Sequence, residues 1–417
     1  MQTLRSRGRY RGVKGGLDHA VRQAEDRNLF DQYVFDADTH ANELFADLGK
    51  YVSDSRWKKI FATDPTDSQM EPLAKVAHQH FAAASFAGGG HYKRPYGSGE
   101  PTTKKNHHPT VYRDEVSFPG PMSIEETAFT FAQRMQEIGI KQCLVFPGSS
   151  LAEVADVTKD SEFEFQMIKA YTLYMLDNFL GKHKEIVSAI HAPLNAKYNA
   201  TKVAELIDDY GGERGIVGVL FFGMNPTPMG SDDFNPIYEA AERKGLPILL
   251  HADNGNHMQG PFFEYYRDKY AFNTSLGFIS GLASHLTSLI VDGVPERYPK
   301  LKFVFIEGGV TWVAPLMHRL DDTIVKKKYE VPLLKKLPSE YMSDFYYCTQ
   351  PLESIHKNEL EPFFKCMKNW EDHWIYASDY PHWDFDVPST VYDLPFLSKD
   401  AKTKIMGGNA RKLFRLD

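Results

Sequence analysis

The sequence contains no apolar run long enough to cross a bilayer and no hydrophobic signal core at its amino terminus. Those two absences lead to the expectation of a soluble, cytoplasmic protein with no membrane partner. Cysteine is scarce. Cys143, Cys348 and Cys366 are widely spaced and form no CxxC pair, which argues against a disulfide framework or a thiolate metal site. Basic charge is not in excess either: 48 Lys and Arg stand against 55 Asp and Glu, a net charge of −7, so a nucleic-acid partner is not expected. There is no internal repeat at a fixed period. No GxGxxG turn follows the first apolar run, which weakens a dinucleotide-binding reading.

What remains is a chain of 417 residues, 42% apolar and 25% charged, long enough to bury a large core. From about residue 31 short apolar runs alternate with helix-like segments. The runs are 33–38, 141–146, 185–192, 215–222, 247–252, 302–307, 345–348 and 374–378. Near-continuous apolar runs of this length suit parallel strands buried on both faces. Asn199 is expected to cap a helix ending near Gly211. Asn235-Pro236 opens another that stops at Gly245, and 161–182 reads as a long amphipathic helix. Eight strands alternating with helices imply a parallel α/β architecture, either a closed barrel or an open doubly wound sheet. Residues 1–32 form an amino-terminal extension whose first 14 residues are basic, read as a solvated or subunit-clasping arm. The stretch 47–123, rich in Gly, Pro, Lys and His, breaks the rhythm as an insertion read as a lid, a clasp or local disorder.

The chemistry lies at the strand ends. The first run ends in Asp38-Thr39-His40, the fifth reaches His251, the sixth Glu307 and the eighth Asp379. In a β/α barrel the carboxyl ends of the strands converge on one face, so these distant residues would meet there. Side chains two apart on a strand point the same way, letting Asp38 and His40 grip one ion. Asp38, His40, His251 and Asp379 are therefore the expected ligands of one divalent metal. Imidazole plus carboxylate without thiolate suits Zn²⁺ first, with Mn²⁺ or Fe²⁺ as alternatives.

The stretches VFDADTH (34–40), PILLHA (247–252), GVPERYPKLKFVFIEGGVTWVAPLMHRLD (293–321) and YASDYPHWD (376–384) resemble the amidohydrolase-related proteins of the aminocarboxymuconate-semialdehyde decarboxylase type. The resemblance runs from residue 33 to the carboxyl terminus. It implies a metal-dependent (β/α)₈ TIM barrel over 33–417, acting as a hydrolase or a non-oxidative decarboxylase of a small carboxylic acid, with the same four ligands. It also implies homo-oligomerisation. Two positions depart from the family pattern. Asp38 stands where members carry His or Glu, and Glu307 stands where they carry a catalytic histidine. A glutamate can accept a proton there but cannot act as a cationic donor.

The first expectation is a metal-dependent hydrolase in which metal-activated water attacks a small carboxylic-acid or aromatic-derived substrate. Glu307 or Asp379 is the catalytic proton carrier in that reading, and Glu307 otherwise orients His251. The alternative is non-oxidative decarboxylation of an aromatic or muconate-like acid, with Glu307 having to be neutral. The second alternative is a barrel that binds metal or metabolite without turnover. His382, Trp383 and Asn178 are the expected substrate contacts, His285 a packed core histidine, Trp312 an apolar anchor, and Arg319 one half of a structural salt bridge.

Overall fold

A computed structural model describes residues 13–41, 48–62, 132–147, 160–252, 272–380 and 386–416. Eight strands follow one another in a single parallel sheet in the order of the chain. They are β1 Phe35–Ala41, β2 Gln142–Pro147, β3 Ile186–His191, β4 Ile216–Phe222, β5 Ile248–His251, β6 Phe303–Ile306, β7 Tyr346–Cys348 and β8 Trp374–Ile375. The sheet closes on itself. Thr39 bridges Tyr380, Ala37 N–H donates to the Tyr376 carbonyl (3.1 Å), and His40 N–H donates to the Tyr380 carbonyl (2.7 Å). This is a (β/α)₈ barrel rather than an open sheet. All eight expected strands are present, and β3 to β6 are buried along their whole length, as runs such as IVGVLFF require.

The helices form the outer layer: α1 Val13–Asp26, α2 Ser55–Ala62, α3 Ser161–Asn178, α4 Ala196–Tyr210, α5 Asn235–Lys244, α6 Phe278–Val291 and α7 Val313–Lys326. Asp160 caps α3 by accepting from Phe163 N–H. α5 stops at Gly245, whose φ of 66° is the left-handed conformation that glycine adopts without a Cβ penalty. Trp312 anchors the foot of α7, packing against Phe305 and Tyr347.

Four expectations are corrected. α4 starts after Asn195, so Asn199 does not cap it; its amide lies inside the helix, donating to the Ser161 carbonyl and to Glu164. α3 is not one-sided: Asp177 is its one exposed residue, because the helix is also covered by α2, whose Trp57 stacks on Phe163 at 5.6 Å. Part of the expected extension and insertion is regular structure for the same reason. α1 buries Ala20 and Ala24, and Arg27 pairs with Asp393; α2 buries Trp57 and Ile60. Arg319 is exposed on α7, with no salt-bridge partner among the described residues. Residues 1–12 and 63–131, which hold the basic tail and most of the insertion, lie outside the described residues.

Candidate metal centre

β1 runs three residues further than the sequence suggests, so Asp38 and His40 both lie within the strand and share its inner face. His251 ends β5 on the same carboxyl rim. Ligand atoms of Asp38, His40 and His251 all lie within 4.8 Å of one another, and all three residues are buried. His40 Nε2 is 3.3 Å from Asp38 Oδ1 and 3.1 Å from Asp379 Oδ1; His251 Nε2 is 3.4 Å from Asp38 Oδ1. Asp379 thus reaches the cluster through His40 rather than belonging to the mutual triangle.

The ring orientations are set by backbone. His40 Nδ1 donates to the Pro147 carbonyl at 3.0 Å, and His251 Nδ1 to the Ala252 carbonyl. Each bond occupies the outer nitrogen and leaves Nε2 facing inward with its lone pair, the tautomer a metal requires. Both carboxylate oxygens of Asp38 are buried with no hydrogen-bond partner among the described residues. A buried carboxylate left this way is costly unless a cation is near, so the donor set fits a divalent metal ion. The electrostatics agree. Burial opposes ionisation of Asp38, yet the facing His251 and His40 hold its carboxyl below the ordinary range. Burial would lower the pKa of His40, but Asp379 and Asp38 outweigh it and raise it to about 10. The site demands positive charge.

Glu307 does not join the triangle. Its Oε2 lies 3.5 Å from His251 Nδ1, beside the bond that this nitrogen makes to the Ala252 carbonyl. Glu307 and Asp379 both adopt left-handed backbone, with φ of 63° and 64°. That conformation is rare for residues with a Cβ and is held here by the surroundings. Gly309, two residues on, sits at φ 66° where a Cβ would come 2.7 Å from the Pro351 carbonyl. Asp379 is fixed by its N–H donating to the Asp38 carbonyl (2.8 Å) and by Gln350 Nε2 donating to Oδ2 (3.4 Å).

Of the expected substrate contacts, His382 and Trp383 lie outside the described residues. Asn178 is at the wrong end of the barrel. The first turn of α3 meets the loop beyond β3, through Glu164 and Asn195, whereas Leu180, just past its last turn, packs on Gly215 at the start of β4. The Asn178 amide donates to Tyr51 Oη and to the Tyr174 carbonyl, both at 2.8 Å, and serves the packing of the outer layer. His285 is the packed core histidine expected: Nδ1 accepts from Met229 N–H and Nε2 donates to the Gly223 carbonyl.

One residue was missed. His191 ends β3 at 2% exposure, its ring edge-on to Tyr171 at 5.0 Å, and burial together with the nearby His251 pushes it down to about 3. Its signal in the sequence is the echo of LLHA in AIHA, a histidine closing an apolar strand.

A closed parallel barrel with an Asp-x-His pair, a histidine on β5 and an aspartate after β8 defines a metal-binding (β/α)₈ protein. The amidohydrolase family model matches residues 77–416, and the chain belongs to that family. The match starts after β1 and takes in part of the expected insertion. In sequence the chain is 22% identical over 214 residues to a γ-resorcylate decarboxylase of Polaromonas sp. strain JS666. That match spans 49% of this chain and 64% of the relative, under two thirds of its length. In fold it is similar to 5-carboxyvanillate decarboxylase from Sphingomonas paucimobilis, with a TM-score of 0.65, 16% identity and coverage of 92% and 99% of the two chains. It is also similar to 5-carboxyvanillate decarboxylase from Novosphingobium aromaticivorans complexed with manganese and 4-hydroxy-3-methoxy-5-nitrobenzoic acid. There the TM-score is 0.57, at 17% identity and with 93% and 97% coverage.

Proposed function

We propose that the protein is a metal-dependent, non-oxidative decarboxylase of aromatic acids. The observation that carries this is the buried Asp38, His40 and His251 cluster, with Phe146 and Phe222 packed against His251 at 5.6 and 6.1 Å. An aromatic wall beside a cation site suits an aryl carboxylate, and relatives in sequence and in fold are named for that activity. These relatives move the reading from hydrolysis, the first expectation, to decarboxylation.

Asp38, His40 and His251 would hold the ion, with Asp379 beside them. The manganese of the Novosphingobium relative favours Mn²⁺ over Zn²⁺ for this mixed donor set. When bound, a divalent cation supplies Lewis acidity that anchors the substrate carboxylate and a neighbouring oxygen. Asp379, whose Oδ1 lies at the cluster edge, would relay a proton taken up from solvent to the ring carbon bearing the carboxylate, and would be left as the carboxylate for the next turnover. The carbon–carboxylate bond then breaks, its electron pair restores the aromatic ring, and CO₂ leaves. Glu307, 3.5 Å from His251 Nδ1, would add its charge to the backbone carbonyl that holds that ring, and the proton donor would be Asp379. Phe146 and Phe222 keep water from the ring.

The test is to incubate the Mn²⁺-loaded protein with hydroxylated benzoic acids and to measure CO₂, beside assays of ester, lactone and amide cleavage. CO₂ release that disappears in Asp379→Asn is the expected result. Ester or lactone cleavage without CO₂ would restore the hydrolase reading, and no turnover of any kind would leave a binding barrel.

A further inference from the structure

Parallel register pairs His191 of β3 with Leu220 of β4. Leu220 and Phe222 lie two apart and share a face, and Phe222 is registered with His251 of β5. His191 therefore faces the same side of the sheet as the metal-site histidine. Its ring is 5.5 Å from that of Phe222, which in turn is 6.1 Å from that of His251. At 2% exposure, its Nε2 has no hydrogen-bond partner among the described residues. A buried nitrogen in that condition costs folding free energy, and packing alone gives no return on it. The contrast with His285 is direct, because both ring nitrogens of that equally buried histidine are bonded to backbone. His40 and His251 each anchor Nδ1 on a carbonyl and turn Nε2 to the metal site. The His191 ring packs on Tyr171 and Phe222, one aromatic ring away from His251, with an Nε2 that neither the described fold nor the metal triangle uses.

We propose that His191 contacts the substrate, its neutral imidazole hydrogen-bonding a phenolic hydroxyl on the ring of the aromatic acid held at the metal centre. The inference rests on the decarboxylase reading and adds a specificity determinant to it. A ring buried between Tyr171 and Phe222, with no carboxylate bonded to it among the described residues, stays uncharged. It does not compete with the cation for the substrate carboxylate, and it can accept from a hydroxyl or donate to one. It reads what else the ring carries. A site that holds an unpaired buried polar group discriminates strongly against the analogue that leaves it unpaired, which is how one hydroxyl can be worth orders of magnitude.

The experiment uses the Mn²⁺-loaded full chain and three probes: benzoate, 2-hydroxybenzoate and 2,6-dihydroxybenzoate. Affinities come from titration calorimetry on wild type, His191→Phe, His191→Met and His191→Gln, with metal content and circular dichroism measured for each. Wild type should bind 2,6-dihydroxybenzoate more tightly than 2-hydroxybenzoate, whose single hydroxyl is the oxygen next to the carboxylate that the metal takes. The two apolar variants should lose that preference for the second hydroxyl by roughly 10- to 100-fold in Kd, with benzoate and 2-hydroxybenzoate affinity and metal content unchanged, and the glutamine variant should keep part of it. Hydroxyl preference surviving in the apolar variants would show that the ring only packs and would overturn the inference alone. Loss of fold or metal in both apolar variants would assign His191 to structure and overturn it as well. A wild type that binds none of the three acids would sink the decarboxylase reading and this inference with it.

Discussion

Asp38 is the residue on which the centre turns, because it faces both histidines and neither of its oxygens has a hydrogen-bond partner among the described residues. Replacing it with asparagine keeps the shape and removes the charge. We expect Asp38→Asn to purify with markedly less than the wild-type metal content, measured by elemental analysis, and to lose activity in parallel. Glu307 acts one step removed, so Glu307→Gln should weaken metal affinity by about 10- to 100-fold without abolishing it, read by competition with a chromophoric chelator. The sequence exposed these residues because each sits where a strand ends. It misplaced Asn178 because a helical asparagine looks the same from either end of the helix. It passed over His191 because the echo of LLHA in AIHA does not say which face the histidine takes until strand register shows it.

At the scale of elements, the loop that leaves β3 is held by one carboxylate. Buried Glu164 on α3 accepts from the N–H groups of Leu194 and Asn195 and from the side-chain amides of Asn195 and Asn199. Glu164→Ala would leave several buried donors unanswered, and we expect a loss of about 2–4 kcal/mol in urea unfolding, with Glu164→Gln milder. This network also explains why Asn199 was misread: a long-range partner claimed the side chain that a local rule assigned to capping. α6 holds the loop after β4 in a comparable way through His285, which burial pushes down to about 4. The unfolded chain takes up a proton near pH 6.5 that the folded chain refuses until about 4, so stability is present above 6.5 and is lost as pH falls through that window. The contribution is about 3 kcal/mol. His191, pushed down to about 3, adds with the same sign. The stability that wild type holds over His285→Gln in urea should therefore shrink between pH 7 and pH 5, because only wild type carries the buried imidazole that resists protonation.

For the whole molecule, metal binding and stability are linked, because the cluster exists only when β1, β5 and the segment after β8 are brought together. Exhaustive chelation should abolish activity and lower Tm. Mn²⁺ added back at a hundred times its Kd should restore both, worth about 2.7 kcal/mol by mass action. An unchanged Tm and full activity after chelation would remove the metal from the account. The alternation of apolar strands and helices was sufficient for the sequence alone to determine the eight-strand plan and to mark Asp38, His40 and His251, since burial on both faces leaves a continuous apolar run and parallel strands present their carboxyl ends together. Alternation by itself left the sheet open or closed, and tertiary structure showed the closure that the family resemblance implied. It also decided that Asp379 approaches through His40, that Glu307 lies beside His251, and that His191 shares the inner wall. The reason is physical: distances between residues hundreds of positions apart depend on register and closure, which no local pattern of side chains encodes.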